Sequence, residues 1–223
     1  RSLVGSEMCI RDRAYEYMGI ETCAVDSMCR TACPVGIDTG KFIKRLRREE
    51  AQPAQQKLWG AAAKNWQVVS QGAGLALTGA HLLPTELVKK VTDVGRSLLG
   101  EDNLPQYQPE LGKGGKSRGR LAGRVGDRYA QTTGIYLPAC VNTMFGPQGG
   151  GKGATDAFVT LLERAGVALE VPEGIDKLCC GTPWTSKGMQ AGHEAMEQRV
   201  RDIVMEATDG ARLPVIVLSL IHI

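Results

Sequence analysis

The sequence predicts an α/β chain, with a helical N-terminal part followed by a βαβαβ unit built on a parallel sheet. Three observations carry that expectation. Apolar residues recur at three- and four-residue steps through residues 54–79 and 85–99, which is helical periodicity. From Gly134 onward, short apolar runs alternate with helical stretches, the order of a parallel crossover unit. Between these halves, residues 101–128 are rich in Gly, Pro and Arg without any period, which reads as a surface linker. The expected organisation is therefore 14–100, then a linker over 101–128, then 129–217.

The two ends are set aside. Residues 1–13, RSLVGSEMCIRDR, and the tail from about Leu218, LSLIHI, look like translated adapter sequence, so they take no part in fold reasoning. Cys9 receives no role, and the chain is expected to be a piece of a longer one. The first helix is expected after Pro34, in IDTGKFIKRLRREE, with Asp38 or Thr39 as N-cap and Phe42, Ile43 and Leu46 on one face. Its other face carries Lys41, Lys44, Arg45, Arg47 and Arg48, either a docking surface for an acidic partner or simply a solvated face. In 54–79 the expected buried stripe is Trp59, Ala62, Trp66, Val69 and Ala73, and in 85–99 it is Leu87, Val91, Val94 and Leu98. Pro84 and Thr85 open the latter helix, and Gly100 stops it. His81 could edge a Trp-lined quinone pocket, but a plain core explains the same pattern. Next, GIYLPAC reads as a strand ending at Cys140, ATDAFVTLLERAG as a helix stopped by Gly166, and VALEVP as a strand. A loop with Cys179 and Cys180, a helix from about Met189 to Ala207 and a strand LPVIV complete the order.

Chemistry concentrates in Cys23–Lys44. Cys23, Asp26, Cys29 and Cys33 stand as C-x2-D-x2-C-x3-C, followed at once by Pro34. Bacterial ferredoxins hold iron–sulfur clusters with C-x2-C-x2-C-x3-C-P. Three cysteines match that run, and Asp26 stands at its second position. Short loops let thiolates converge on one cubane, and proline turns the chain away behind the last ligand. Zinc sites favour paired C-x2-4-C and often histidine, and this stretch has no C-x2-C pair and no histidine. Asp26 is either a weak oxygen ligand, harder than a thiolate, or a turn residue bonding backbone N–H groups. In a parallel sheet, ligands bind outside the carboxyl ends of the strands. That rule places Cys140 beside Cys179 and Cys180, and vicinal thiolates followed by Gly181 can bridge a metal. Two buried small side chains are the alternative for the Cys179–Cys180 pair.

The stretch TCAVDSMCRTACPVGIDTGKFIKRLR resembles the second cluster motif of the fused FAD- and iron–sulfur-containing D-lactate (2-hydroxy acid) dehydrogenases. YLPACVNTMFG and VPEGIDKLCCGTPWTSKG resemble the cysteine-rich CCG domain of the same family, shared with glycolate oxidase iron–sulfur subunits and heterodisulfide reductases. The resemblance implies a ferredoxin-type helical segment followed by a truncated CCG domain. It implies a 4Fe–4S cluster, or a 3Fe–4S form, at Cys23, Cys29 and Cys33. A second cluster or zinc is implied at Cys140, Cys179 and Cys180, and FAD in an upstream flavin domain of the same parent chain. Electrons would pass to a quinone or cytochrome, with no catalytic residue in this chain. Alternatives are a separate iron–sulfur subunit of glycolate oxidase, glycerol-3-phosphate dehydrogenase or heterodisulfide reductase type, or a zinc-binding interaction module.

Composition narrows the partners. A net charge of +3 with no base-stacking aromatic pattern argues against nucleic acid. Seven cysteines at cluster-like spacing argue for a reducing cytoplasm rather than a disulfide framework. No run approaches the ~18 apolar residues of a membrane span, so any membrane contact is expected to be peripheral, at the inner membrane. GPQGGGKG, residues 146–153, nearly fits the phosphate loop G-x4-G-K-[ST], but Gly153 supplies no hydroxyl for Mg²⁺. It reads instead as a flexible lip over the Cys140 site. His193 is expected to be a surface or core residue rather than a ligand.

Overall fold

The computed structural model describes residues 14–99, 106–147, 149 and 151–218. Cys9, Gly100, residues 101–105 and the tail beyond Leu218 therefore lie outside the described residues. In chain order the helices are α1 (Met28–Ala32), α2 (Thr39–Glu50), α3 (Pro53–Lys64), α4 (Trp66–Ala80), α5 (Thr85–Leu99), α6 (Val141–Met144), α7 (Gly153–Ala165), α8 (Thr182–Lys187) and α9 (Gln190–Ala207). The strands are β1 (Gly123–Gly126), β2 (Thr132–Pro138), β3 (Ala168–Val171) and β4 (Val215–Leu218). The chain falls into two compact units: the part up to Lys64 with Gly181–Gln198, and Asn65–Cys180 with the part from Arg199 on.

In the first unit, α2 begins where the Asp38 carboxylate accepts a hydrogen bond from the Lys41 N–H at 3.1 Å, satisfying an otherwise orphan donor. Of its expected apolar face, Ile43 is buried while Phe42 is exposed. Trp184 anchors α8: its indole is fully buried and donates to the Trp59 carbonyl at 2.9 Å. Gly192 makes room for it, since a Cβ there would lie 2.1 Å from the Trp184 ring.

The second unit holds a four-stranded sheet in the order β1-β3-β2-β4. Strand β2 runs parallel to both β3 and β4, and its buried run Gly134–Tyr136 is what a central strand covered on both faces requires. Tyr136, Leu162, Leu169, Val171, Ile175 and Leu178 form the core, with Phe158 set against Tyr136 at a ring-centroid distance of 4.7 Å. The sheet is mixed and not purely parallel, because β1 pairs antiparallel with β3 from Gly123↔Val171 to Gly126↔Ala168. That strand lies inside the stretch read as a linker. Its sequence GRVG has one apolar residue, Val125, and so shows no strand period.

Two helical expectations are corrected. The continuous helix over 54–79 is two helices, broken at Asn65, whose φ of −109° and ψ of 30° leave the helical region. Asparagine competes with the helical backbone for hydrogen bonds and ends helices readily. The edge of α4 that is buried carries Trp66, Ser70 and Gly74, while Val69 is exposed. Gly74 is held there by contact, since a Cβ would lie 2.6 Å from the Thr143 carbonyl oxygen. In α5 the stripe Leu87, Val91, Val94 and Leu98 is exposed and not buried, and Val88 is the residue of that helix that is buried. The helix has the predicted period, but among the described residues nothing covers the apolar face.

Candidate functional site

The structure arranges the cysteines among the described residues in two places, one in each unit. In the first unit, Cys29 is exposed and Cys23 and Cys33 are half-buried. The Thr39 hydroxyl donates to the Cys29 sulfur at 3.0 Å. That bond holds the Cys29 thiol below its ordinary value, and the Gly40 backbone N–H adds to it. Cys33 is likewise pulled down, first by the Ile37 N–H and then by those of Val35 and Gly36. The chain after Pro34 thus wraps its N–H groups around one sulfur, while the first turn of α2 serves the other. Gly40 is buried, and a Cβ there would sit 3.3 Å from the Ser27 backbone nitrogen and hydroxyl, so the loop closes down on it.

Asp26 accepts from the Met28 N–H at 3.1 Å, which is the turn-holding arrangement open to aspartate. The loop is strained on either side of it, with Val25 at φ 53° and Ser27 at φ 63°. Arg47 ties down the start of the loop. Its guanidinium donates to the carbonyls of Ile20, Glu21 (3.0 Å) and Cys23 (2.9 Å), and across to Ser186 (2.5 Å). One cation of the expected charged face is therefore a structural clamp, while Lys41, Arg45 and Arg48 are exposed.

In the second unit, Cys140 follows β2 and its sulfur lies 3.4 Å from that of Cys179, which comes 39 residues later. Cys179 is buried and Cys180 exposed. The Cys140 thiol is lowered to about 7, chiefly by its hydrogen bond with Cys179 and further by the Arg118 charge. Burial and the neighbouring Cys180 push the other way. Arg118, only 3% exposed, joins the chain segments that carry these sulfurs. It donates to the carbonyl of Pro138 at 2.9 Å, two residues before Cys140, and to that of Leu178 at 2.8 Å, one before Cys179. Asp176 completes the arrangement by accepting from the Arg118 N–H at 2.9 Å and from the Ser117 hydroxyl. Desolvation lowers the Arg118 pKa, against the charges of Cys140, Asp176, Cys179 and Cys180.

Arg118 was not legible in the sequence. It stands among Lys116, Arg120, Arg124 and Arg128 in a stretch without periodicity, and nothing local distinguishes it. Gly181 has φ +84° at the start of α8, and a Cβ there would press on His193 Nδ1 at 3.0 Å, so the turn into that helix requires glycine. His193 itself bonds the Thr185 hydroxyl at 3.0 Å. His81 lies 2.8 Å from the Leu111 carbonyl oxygen through Nε2.

Among the described residues, no three His, Cys, Asp or Glu side chains converge closely enough to hold a metal ion. The structure brings together Cys140 and Cys179, and it gives Cys29 and Cys33 each its own set of donors. Neither set is closed into a full ligand sphere. No helix of the described residues is long and apolar enough to cross a membrane. Comparison of the chain with family models, curated proteins and solved structures gives no match.

Proposed function

We propose that this chain is the iron–sulfur electron-transfer portion of an FAD-linked 2-hydroxy acid dehydrogenase resembling D-lactate dehydrogenase. The observation that supports it most is the set of N–H and O–H donors around Cys29 and Cys33, in a run that matches a cluster motif at three of its four positions. Hydrogen bonds to ligating sulfurs stabilise their charge and tune the potential of an iron–sulfur centre, so these donors fit such a group. Cys23, Cys29 and Cys33 would hold it. Asp26 is already engaged with the Met28 N–H and would serve as a turn residue or a weak oxygen ligand. Such a centre supplies one-electron transfer between a flavin and a quinone or cytochrome. The chain contributes the loop that presents the thiolates, the Arg47 clamp that fixes its start, and the exposed edge at Cys29. Cys140, Cys179 and Cys180 would form a second thiolate site, for a cluster or zinc, whose charge Arg118 offsets.

Anaerobic reconstitution with iron and sulfide, followed by metal and acid-labile sulfide analysis, tests the reading. Iron with matching sulfide, lost in Cys29→Ala and Cys33→Ala, is expected. Stoichiometric zinc without sulfide would end it.

A further inference from the structure

We propose that the second unit binds a small molecule bearing a diphosphate, without a divalent metal, in the cavity between its two lysine-bearing glycine loops. The cavity measures about 770 Å³, within the ~300–1,000 Å³ of small-molecule sites. One wall is Gly112–Lys116 and another is formed by residues around Lys152 and Gly153. The first loop is built in and not adventitious. The Gly146 N–H donates to the Lys113 carbonyl at 2.7 Å, the Gly115 N–H to that of Thr143 at 3.0 Å, and the Gly114 N–H to the Thr78 hydroxyl at 3.2 Å. Side chains are excluded there, since a Cβ would lie 1.8 Å from the Gly74 oxygen at position 114 and 1.7 Å from the Asn142 oxygen at 115.

Charge then selects the ligand. Lys113, Lys116, Arg118, Arg120 and Lys152 line the cavity against Glu110 and Asp156. Asp156 is taken up by Arg120 and by Lys116, the latter at 3.8 Å. Among the described residues no ion pair engages Lys113 or Lys152, so two ammonium groups face the space without a counter-charge. Arg118, 3% exposed and paired with Asp176 at 3.9 Å, also lines the cavity and adds a buried positive charge behind the two lysines. The uncapped first turn of α7, Gly153–Asp156, lines the same space and supplies further backbone donors. With glycine at position 153, the hydroxyl that would hold Mg²⁺ in a phosphate loop is missing, so the binding is metal-independent.

The site needs no iron, so its test stands apart from that of the cluster reading. Titration calorimetry of the full chain with inorganic pyrophosphate, in chelator, is expected to give a dissociation constant of about 0.1–1 mM. Lys113→Gln and Lys152→Gln, both at exposed positions, should each weaken it about tenfold or more. Lys41→Gln, in the other unit, should leave it unchanged, and circular dichroism checks that all variants stay folded. Tighter binding of ADP than of pyrophosphate would identify the diphosphate of a nucleotide, and equal binding the diphosphate alone. The proposal is overturned by no heat at about 10 mM pyrophosphate, by binding that survives the double Lys113→Gln, Lys152→Gln change, or by citrate binding as tightly as pyrophosphate.

Discussion

The loop at Cys23–Cys33 and the thiol pair Cys140–Cys179 hold sulfur by opposite means. The first is local: its donors come from Val35 to Gly40, a few residues beyond Cys33, with Cys29 exposed and Cys23 and Cys33 half-buried. The second is assembled from distant chain, with Cys179 buried and a single interior cation, Arg118, bonding the backbone beside each partner. Sulfur charge can thus be stabilised by several backbone and hydroxyl donors along one loop, or by a neighbouring thiol together with a buried cation. The two arrangements should fail differently.

The largest expected effect falls on the buried pair. Arg118→Met leaves Asp176 buried without its cation and unties Pro138 from Leu178. Breaking a buried pair in this way typically costs about 3–5 kcal/mol. Urea unfolding measures it, and a loss under about 1 kcal/mol would show that Arg118 is not the joint described here.

The next expectation concerns pH. Cys140 has an ordinary value of 9.0 and is lowered to about 7 in the fold. The stability it contributes is therefore fully present above 9.0 and is lost as pH falls through about 7. Alkylation of metal-free chain should show Cys140 reacting with a midpoint near 7, and Arg118→Met should move that midpoint upward. A midpoint that stays put in Arg118→Met would assign the shift to Cys179 alone.

Smaller effects are expected in the open loop. Gly40→Val forces the Ser27 loop away from α2, an overpacking cost of about 1–3 kcal/mol, and should reduce iron retention more than it reduces stability. Unchanged iron retention would mean the loop closes without Gly40. Thr39→Val removes the hydroxyl bond to Cys29, so the Cys29 thiol should return toward its ordinary value and alkylate more slowly near neutral pH. Cys33, served by other donors, should be unaffected, and an equal change at both would break the distinction between them.

Much of this was readable before the structure. The Asp38 cap, β2 ending just before Cys140 and the Gly166 stop of α7 are local patterns whose signals lie within a few residues. The meeting of Cys140 and Cys179 was also legible, because strand order fixes which loops share a sheet end. What was not legible depends on partners far along the chain. Strand β1 carries almost no apolar signal, Arg118 looks like its basic neighbours, and Arg47 looks like a solvated cation until the carbonyls of Ile20 to Cys23 come round to it. The exposed stripe of α5 shows the converse. Periodicity states that a face is apolar but not what covers it.

The central claim is that the thiolates of the Cys23–Cys33 loop hold an iron–sulfur centre. Electron paramagnetic resonance of the anaerobically reconstituted, dithionite-reduced chain tests it most directly, compared across Cys33→Ala and Cys140→Ala. The account predicts a reduced-cluster signal that disappears in Cys33→Ala and persists in Cys140→Ala. A signal unchanged in Cys33→Ala, or a chain that takes up only zinc and gives no signal, would contradict it.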